Sequence, residues 1–467
     1  MGWRSVFKQL DDYRFLIPKS FKDGMRTDGL IYSNAAMIQH IFSENAHEQV
    51  ANVACLPGIV GRSLAMPDIH LGYGFTIGGV AAFDPKEDGI ISPGGVGYDI
   101  NCGVRVLRTD LVKKEVEPKL RQMVDTLASN VPSGVGSESE LSLSRKDLDK
   151  ILETGSSWAV KNGYGTGDDL DQTESRGCLE WADASLVSSH AKERGTSQQG
   201  TLGSGNHFLE VQYIEEIYDD KIAQAWGLFK DQVTIMVHSG SRGLGHQVCT
   251  DYIKVMIRAA QKYGIKLPDR QLCCAPVSSP EGKDYFGAMA AAANFAWCNR
   301  QMLMHWTRET FAQVMGGSAD RLGIRLVYDV AHNIAKMEEH GGKILCVHRK
   351  GATRAFPDQP VLVPGDMGRY SYIMVGTEKA MQETWGSVCH GAGRLMSRSA
   401  ASRKFSPGQL TAELEKQGIL VRSATRKGLV EEAPGAYKDV REVVDVVHNS
   451  GLARKIARMR PMCVVKG

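Results

Sequence analysis

No C-x-x-C pair occurs among the ten cysteines of this 467-residue sequence (Cys55, Cys102, Cys178, Cys249, Cys273, Cys274, Cys298, Cys346, Cys389 and Cys463), and their spacing is irregular. That excludes a disulfide-stapled scaffold and points to thiols left free or bound to metal in a reducing compartment. Also missing is any apolar run long enough to cross a bilayer. The first residues interleave Arg4, Lys8, Asp11, Asp12 and Arg14 with apolar side chains, so they lack the continuous apolar segment of a signal peptide. Gly2 has Val6 where myristoylation wants Ser or Thr. A cytoplasmic protein with no membrane attachment is expected. There is no G-x-x-x-x-G-K-[ST], so a nucleotide would have to be held by something other than a P-loop. Net charge is scarce too, at +3, and any nucleic-acid contact must come from local arginines.

What remains is an ordinary globular composition, 42% hydrophobic with a mean hydropathy of −0.24. Length alone suggests about three domains. Glycine is plentiful, at 50 residues, and it clusters beside polar motifs rather than in linkers. Those motifs run from Asp68 to the end of the sequence, and a site drawn from the whole length argues for one interwoven domain over 1–467. Helical patterns cover His246 to Tyr263, Ala288 to Met315, and Val440 to Met459 with a break at Asn449-Ser450-Gly451. Strand-like runs include Arg105 to Leu107, Val233 to Val237, Leu326 to Val330, Ile344 to Val347 and Tyr372 to Val375. Their irregular order predicts an α+β fold, mixed sheets flanked by helices. Residues 132–199, rich in Ser, Gly and charge with a helix expected over Lys146 to Asn162, are the expected mobile flap.

The chemistry concentrates in a few blocks. Gly97-Tyr98-Asp99-Ile100-Asn101-Cys102-Gly103 sets a carboxylate and a thiol at metal-ligand spacing in a turn. Histidines follow in ordered settings: His207 after a Gly/Ser loop, and His238 and His332 at the ends of β-branched runs. Each alone reads equally well as a satisfied core residue. Together they make a centre for one or two divalent ions, since thiolate and imidazole suit zinc or another transition metal and the carboxylate also admits manganese. His390 opens His390-Gly391-Ala392-Gly393-Arg394, where glycines leave room for a phosphate and the imidazole could attack phosphorus. Arg394 and Arg398 would share one face if a helix follows. The plain alternative is a helix N-terminus that binds a structural anion.

From Met66-Pro67-Asp68-Ile69-His70 through Gly205-Asn206-His207-Phe208-Leu209-Glu210, His238-Ser239-Gly240-Ser241-Arg242-Gly243, Ala331-His332-Asn333, Pro364-Gly365-Asp366-Met367-Gly368 and the His390 block to Lys466-Gly467, the sequence resembles the RtcB family of RNA ligases. The resemblance implies a GTP-dependent ligase that uses two manganese ions. The histidine matching His390 takes GMP from GTP and passes it to an RNA 3'-phosphate, after any 2',3'-cyclic phosphate is hydrolysed. A 5'-hydroxyl end then displaces GMP.

By the same match Cys102 would bridge the two ions, with Asp99, His207, His238 and His332 completing their shells. GTP would be held by Asn206, His207, Phe208, Leu209, Glu210, His332, Asn333, Pro364, Gly365, Asp366, Met367, Ser371, His390, Gly391, Ala392, Gly393, Tyr437 and Lys466. Glu210 would read guanine's N–H groups, Tyr437 would stack, and Lys466 would donate to the guanine O6. Asp68 is the candidate for orienting His390. Arg242, Arg394 and Arg398 are candidate RNA contacts, with RNA the implied partner and the small protein archease a candidate activator. Some family members carry Ser where this sequence has Asp366, and a carboxylate beside a phosphate would repel it.

Three readings compete. Lys86-Glu87-Asp88-Gly89 matches the K-x-D-G of lysine-dependent nucleotidyl ligases, although Asp88-Gly89 between strand-like runs also reads as a hairpin turn. A metal-dependent phosphoesterase would use the same metals without GTP. A non-enzymatic RNA-binding role would leave the ligand set unexplained. His40, His47, His190, His305, His340, His348 and His448 read as structural or surface residues, while His70 and His246 flank the motifs with no role that spacing assigns.

Overall fold

The computed structural model describes residues 2–139, 141 and 143–467. All five strand-like runs lie inside strands, and the strands form two large sheets. The first has seven strands in the order Lys8–Gln9, Arg14–Ile17, Gly29–Tyr32, Ile59–His70, Ile77–Phe83, Lys343–Lys350 and Asn333–His340. Every pair in it is antiparallel except Gly29–Tyr32 with Ile59–His70. The second sheet runs Arg325–Ala331, Gly103–Val112, Gln232–Ser239, Phe208–Ile217, Ala453–Lys466, Ser371–Gly376 and Pro360–Val363, with Leu420–Ser423 added parallel to Ala453–Lys466. Each sheet takes strands from both halves of the sequence. The α+β class with mixed sheets and flanking helices is therefore what the chain adopts.

Only His332 separates Arg325–Ala331, an edge of the second sheet, from Asn333–His340, an edge of the first. The chain crosses between sheets at a candidate ligand. A 36-residue helix, Pro280–Met315, packs behind, opened by Ser279, whose hydroxyl accepts from the Gly282 N–H at 3.1 Å. Every residue from Gly287 to Met304 is buried. The helix begins two turns before the expected Ala288, in a stretch where Lys283 and Asp284 are exposed.

Three expectations are corrected. The helix expected over Lys146 to Asn162 is two, Arg145–Thr154 and Ser156–Lys161. They part at Gly155, which has φ 55°, and a Cβ there would sit 2.0 Å from the Gly177 carbonyl oxygen. The helix Val440–Asn449 stops at the expected break, but Ala453 onward is strand, where helix was expected to Met459. Asp88-Gly89 does not turn a hairpin: Ile77–Phe83 pairs elsewhere, and Ile90–Ile91 pairs with Ala275–Pro276. Asp88, at φ 57°, instead ends a short 3-10 helix, with the Gly89 N–H donating to the Asp84 carbonyl at 2.9 Å.

Residues 132–199 carry short helices, of which Arg145–Thr154 buries Leu148, Ile151 and Leu152 against the core that Pro280–Met315 shares. Among the described residues no helix is long and apolar enough to cross a membrane.

Candidate active site

Register gathers the candidate ligands at one end of the second sheet. Gly103 lies opposite Ser239 and Ala331, and Phe208 lies opposite His238. Because these neighbours are antiparallel, Cys102 and His207, which each precede a strand, meet His238 and His332, which end or follow one. Cys102 Sγ lies 3.2 Å from His238 Nε2 and 3.4 Å from His207 Nε2. His238 Nε2 is 3.3 Å from His332 Nε2, and His207 Nε2 is 2.8 Å from Asp99 Oδ2. The ligand atoms of Cys102, His238 and His332 fall within 4.8 Å of one another, as do those of Asp99, Cys102 and His207. Cys102 belongs to both groups.

These donors fit one or two divalent transition ions held by a shared sulfur. His207 Nδ1 donates to the Leu202 carbonyl at 3.0 Å, which orients the ring so that Nε2 faces Asp99 and Cys102. Burial keeps the imidazoles of His238 and His332 well below their usual pKa, hence neutral as ligands must be. Burial, with Asp99 adding to it, pushes the Cys102 thiol well above its usual range; a cation at the sulfur reverses that. For Asp99, burial acts upward, but His207 beside it brings the carboxyl down to about 2.

A buried arginine sets this end of the sheet. Arg300, in the middle of Pro280–Met315, donates to the Asn101 carbonyl at 2.7 Å and to the Ser239 carbonyl at 3.0 Å, so it grips the residues next to Cys102 and His238. Its other N–H groups meet both oxygens of Asp329 at 2.8 Å, and Asp329 also accepts from Arg105. Asn101 sits at φ 50°, uncommon for a residue with a Cβ, and its amide is fixed between Arg300 and the Ala293 carbonyl.

A cavity of about 250 Å³ opens beside the cluster. His390 faces it from the loop after Ser387–Cys389, and Asp68, fully buried near the end of Ile59–His70, holds it from the first sheet. Asp68 Oδ2 accepts from His390 Nδ1 at 2.6 Å and from its backbone N–H at 2.9 Å. Nε2 is thereby left as the ring nitrogen that keeps a free lone pair. The His390 ring is 4.8 Å from that of His332. Lys438 donates to the carbonyls of Pro67 and Ile69, at 3.0 and 2.6 Å, and pins the chain on either side of Asp68.

Asn206, Phe208, Glu210, His332, Asn333, Pro364, Gly365, Asp366, Met367, Gly391, Ala392, Gly393, Arg394, Arg398, Tyr437 and Lys466 also line the cavity. Leu209 points to the opposite face of its strand, into the apolar core. Ser371 reaches the site indirectly, accepting from the Gly365 N–H at 3.2 Å. The Asp366 carboxylate is taken by Arg369 Nε at 2.6 Å and the Gly368 N–H at 3.0 Å, and burial still lifts its carboxyl to about 6 against them. Arg242 donates to Thr201 Oγ1 at 3.0 Å near the Asp99, Cys102 and His207 group. Lys86 is exposed and outside this cavity, so the K-x-D-G segment stands apart from the clustered chemistry.

Arg394 and Arg398 do not share a helix face, because the helix begins only at Arg398. They meet instead on Glu432, at 3.1 and 3.0 Å, and the Tyr437 hydroxyl donates to the same carboxylate. Burial alone would raise the Glu432 carboxyl, but Lys466, Arg398 and Arg394 bring it down to about 2. The Arg394 guanidinium also lies over the Tyr437 ring, 5.0 Å from its centroid. Glu432, Lys438 and Arg300 are positions that sequence reasoning missed, and none sits in a motif that spacing would flag; His70, to which spacing assigned no role, lines the cavity.

A family model described as tRNA-splicing ligase RtcB matches residues 49–467. Relatives named tRNA-splicing ligase RtcB are similar over their full lengths. The one from Archaeoglobus fulgidus is 56% identical over 484 aligned residues, covering 100% of both chains. That from Thermococcus kodakarensis is 55% identical over 477, covering 98% of each. The Aeropyrum pernix relative is 52% identical over 478, covering 98% of this chain and 99% of its own.

Proposed function

The chain belongs to the tRNA-splicing ligase RtcB family, and on that premise we propose that it is a cytoplasmic, GTP- and manganese-dependent RNA ligase. It joins 3'-phosphate or 2',3'-cyclic phosphate ends to 5'-hydroxyl ends through a covalent histidine–GMP intermediate, in tRNA splicing or RNA repair. The observation that carries the reading is the 2.6 Å contact of His390 Nδ1 with Asp68, in a cavity shared with Cys102, His238, His332 and Glu210. An imidazole held this way presents Nε2 as a nucleophile and keeps its Nδ1 proton on the carboxylate side.

In the first step Nε2 bonds to the α-phosphorus of GTP as the bond to the leaving pyrophosphate breaks. Asp68 offsets the positive charge that develops on the ring. An oxygen of the RNA 3'-phosphate then takes the GMP, breaking the N–P bond, and a 5'-hydroxyl oxygen attacks the activated 3'-phosphorus to release GMP. A cyclic end is opened by water before activation. Asp99, Cys102, His207, His238 and His332 would hold the metals, which when bound neutralise phosphate charge and polarise the attacked phosphorus. Glu210, Tyr437 and Lys466 bind the base, and Arg242, Arg394 and Arg398 are the proposed contacts to RNA phosphates, two of them already held by Glu432.

Incubation with manganese and GTP labelled at the α-phosphate, followed by peptide mapping, tests this. Label on His390, lost in His390→Ala while metal content is kept, is the expected result. Label on Lys86 would reassign the nucleophile. Metal-dependent hydrolysis of phosphate esters with no adduct would instead make the protein a phosphoesterase.

A further inference from the structure

Behind the base-binding end of the cavity lies a residue with no role in the steps above. Phe208, Glu210 and Gln212 alternate onto one face of Phe208–Ile217, and Gln212, fully buried, is the deepest of the three. Its side-chain Nε2 donates to Glu210 Oε2 at 2.8 Å and to Ser371 Oγ at 3.2 Å. Ser371 Oγ is itself anchored by the Gly365 N–H. Both amide hydrogens are thus committed, while Gln212 Oε1 is buried with no partner. The opposite amide orientation would set Oε1 against the Glu210 carboxyl, an arrangement that only a protonated carboxyl could satisfy.

The two arrangements favour different bases. An ionised carboxylate accepts from two N–H groups, the edge guanine offers through its ring N–H and its amino group. A protonated carboxyl offers one donor and one acceptor, which complements the ring nitrogen and amino group of adenine. Resting on the proposed reading of Glu210 as the base contact, we infer that Gln212 is a specificity-positioning residue: it holds Glu210 as an acceptor of two N–H groups and so selects a guanine-type edge over an adenine-type edge. Such a clamp has something to oppose. Burial, with Asp366 adding to it, lifts the Glu210 carboxyl to about 8, against the Gln212 bond and Lys466.

The test is equilibrium binding of GTP, ITP and ATP to the full-length protein with manganese, for the wild type, Gln212→Leu, Gln212→Met, Gln212→Glu and Glu210→Gln. Losing a hydrogen bond to a charged group should cut the GTP-over-ATP preference about tenfold or more in the Leu and Met variants. In Gln212→Glu two facing carboxyls share a proton, and the preference should fall further. ITP, which lacks the 2-amino group, should lose less than GTP.

Folded Gln212 variants that weaken GTP and ATP by the same factor, or keep the wild-type preference, overturn the inference and leave Gln212 a packing residue. So does failure of all three to fold. An unchanged preference in Glu210→Gln, or none in the wild type, removes Glu210 from base reading, a result distinct from failure at Gln212 alone.

Discussion

The two ends of the cavity handle buried polarity in opposite ways. At the metal end the side chains turn lone pairs toward one another at 3.2 to 3.4 Å, the imidazoles of His238 and His332 are held neutral by burial, and their Nδ1 atoms have no partner. At the base end most charges meet counter-charges inside the protein, Glu432 with Arg394 and Arg398 and Asp366 with Arg369, while Glu210 is held by the neutral amide of Gln212. Converging lone pairs with no internal counter-charge fit a cation from outside. Charges already neutralised within the protein form a scaffold whose work is shape and hydrogen-bond direction. Substitutions at the first end should therefore abolish, and at the second attenuate.

The largest effect is expected from Cys102→Ser. The sulfur is common to both ligand groups, and a hydroxyl gives up its proton far less readily than a thiol. Metal content and adduct formation should both fall by more than the roughly 10–100-fold that loss of a bond supporting a ligand costs. Elemental analysis beside the GTP-labelling assay reads both. Near-normal metal content in the serine variant would remove the shared role of Cys102.

Lys466 should give a middle effect. Its ammonium is buried over the Phe208 ring, 5.4 Å from the centroid, and burial lowers its pKa while Glu432 and Glu210 resist. Lys466→Met should weaken GTP use about 10–100-fold, the loss of one charged hydrogen bond of about 1.5–3 kcal/mol. Removing both Lys466 and Gly467 should do the same and also lower the melting temperature. The last residues pair with Phe208 and Ser423, and a Cβ on Gly467 would lie 1.5 Å from the Gly203 carbonyl oxygen. A normal GTP response in Lys466→Met, with a lower melting temperature only in the truncation, would reduce the tail to packing.

The contrast between the two ends also marks what the sequence could and could not tell. Strand cores were legible because β-branched runs such as Val233 to Val237 carry their own signal. The polar blocks were legible because glycine and histidine cluster in them. Register was not, and register is what sets Gly103 opposite Ser239 and Ala331 and so makes four separate segments one cluster. Pairing across distance was equally hidden. Glu432 lies 38 residues from Arg394, and no motif links the two. The strand at Ala453–Lys466 was mistaken in its first half for helix, since Ala453, Ile456 and Ala457 fall at helical spacing, the register shift around Ile456 having broken the strand alternation. Gly451, at φ 77°, ends that helix, and the new strand pairs with Phe208–Ile217 on one side and Ser371–Gly376 on the other.

The smallest expected effect is one of stability, and it separates the two ends most finely. Burial first, then Asp366, raises the Glu210 carboxyl from its ordinary 4.5 to about 8. A carboxyl raised on folding favours the folded state while it is protonated. That contribution is whole below about 4.5 and is lost as the pH climbs through about 8. Glu210→Gln keeps the shape and has no proton to lose. The variant should melt close to wild type near pH 5 and, by pH 8.5, roughly 2 °C or more above it. No comparable gain is expected from Glu432→Gln, whose carboxyl is held at about 2 by cations that the amide would leave unpaired. Melting both variants across this pH range checks the sign at each position. If Glu210→Gln were no more stable than wild type at high pH, the carboxylate would already be fully compensated by Gln212 and Lys466. The base end would then hold no ionisation cost for a bound base to relieve.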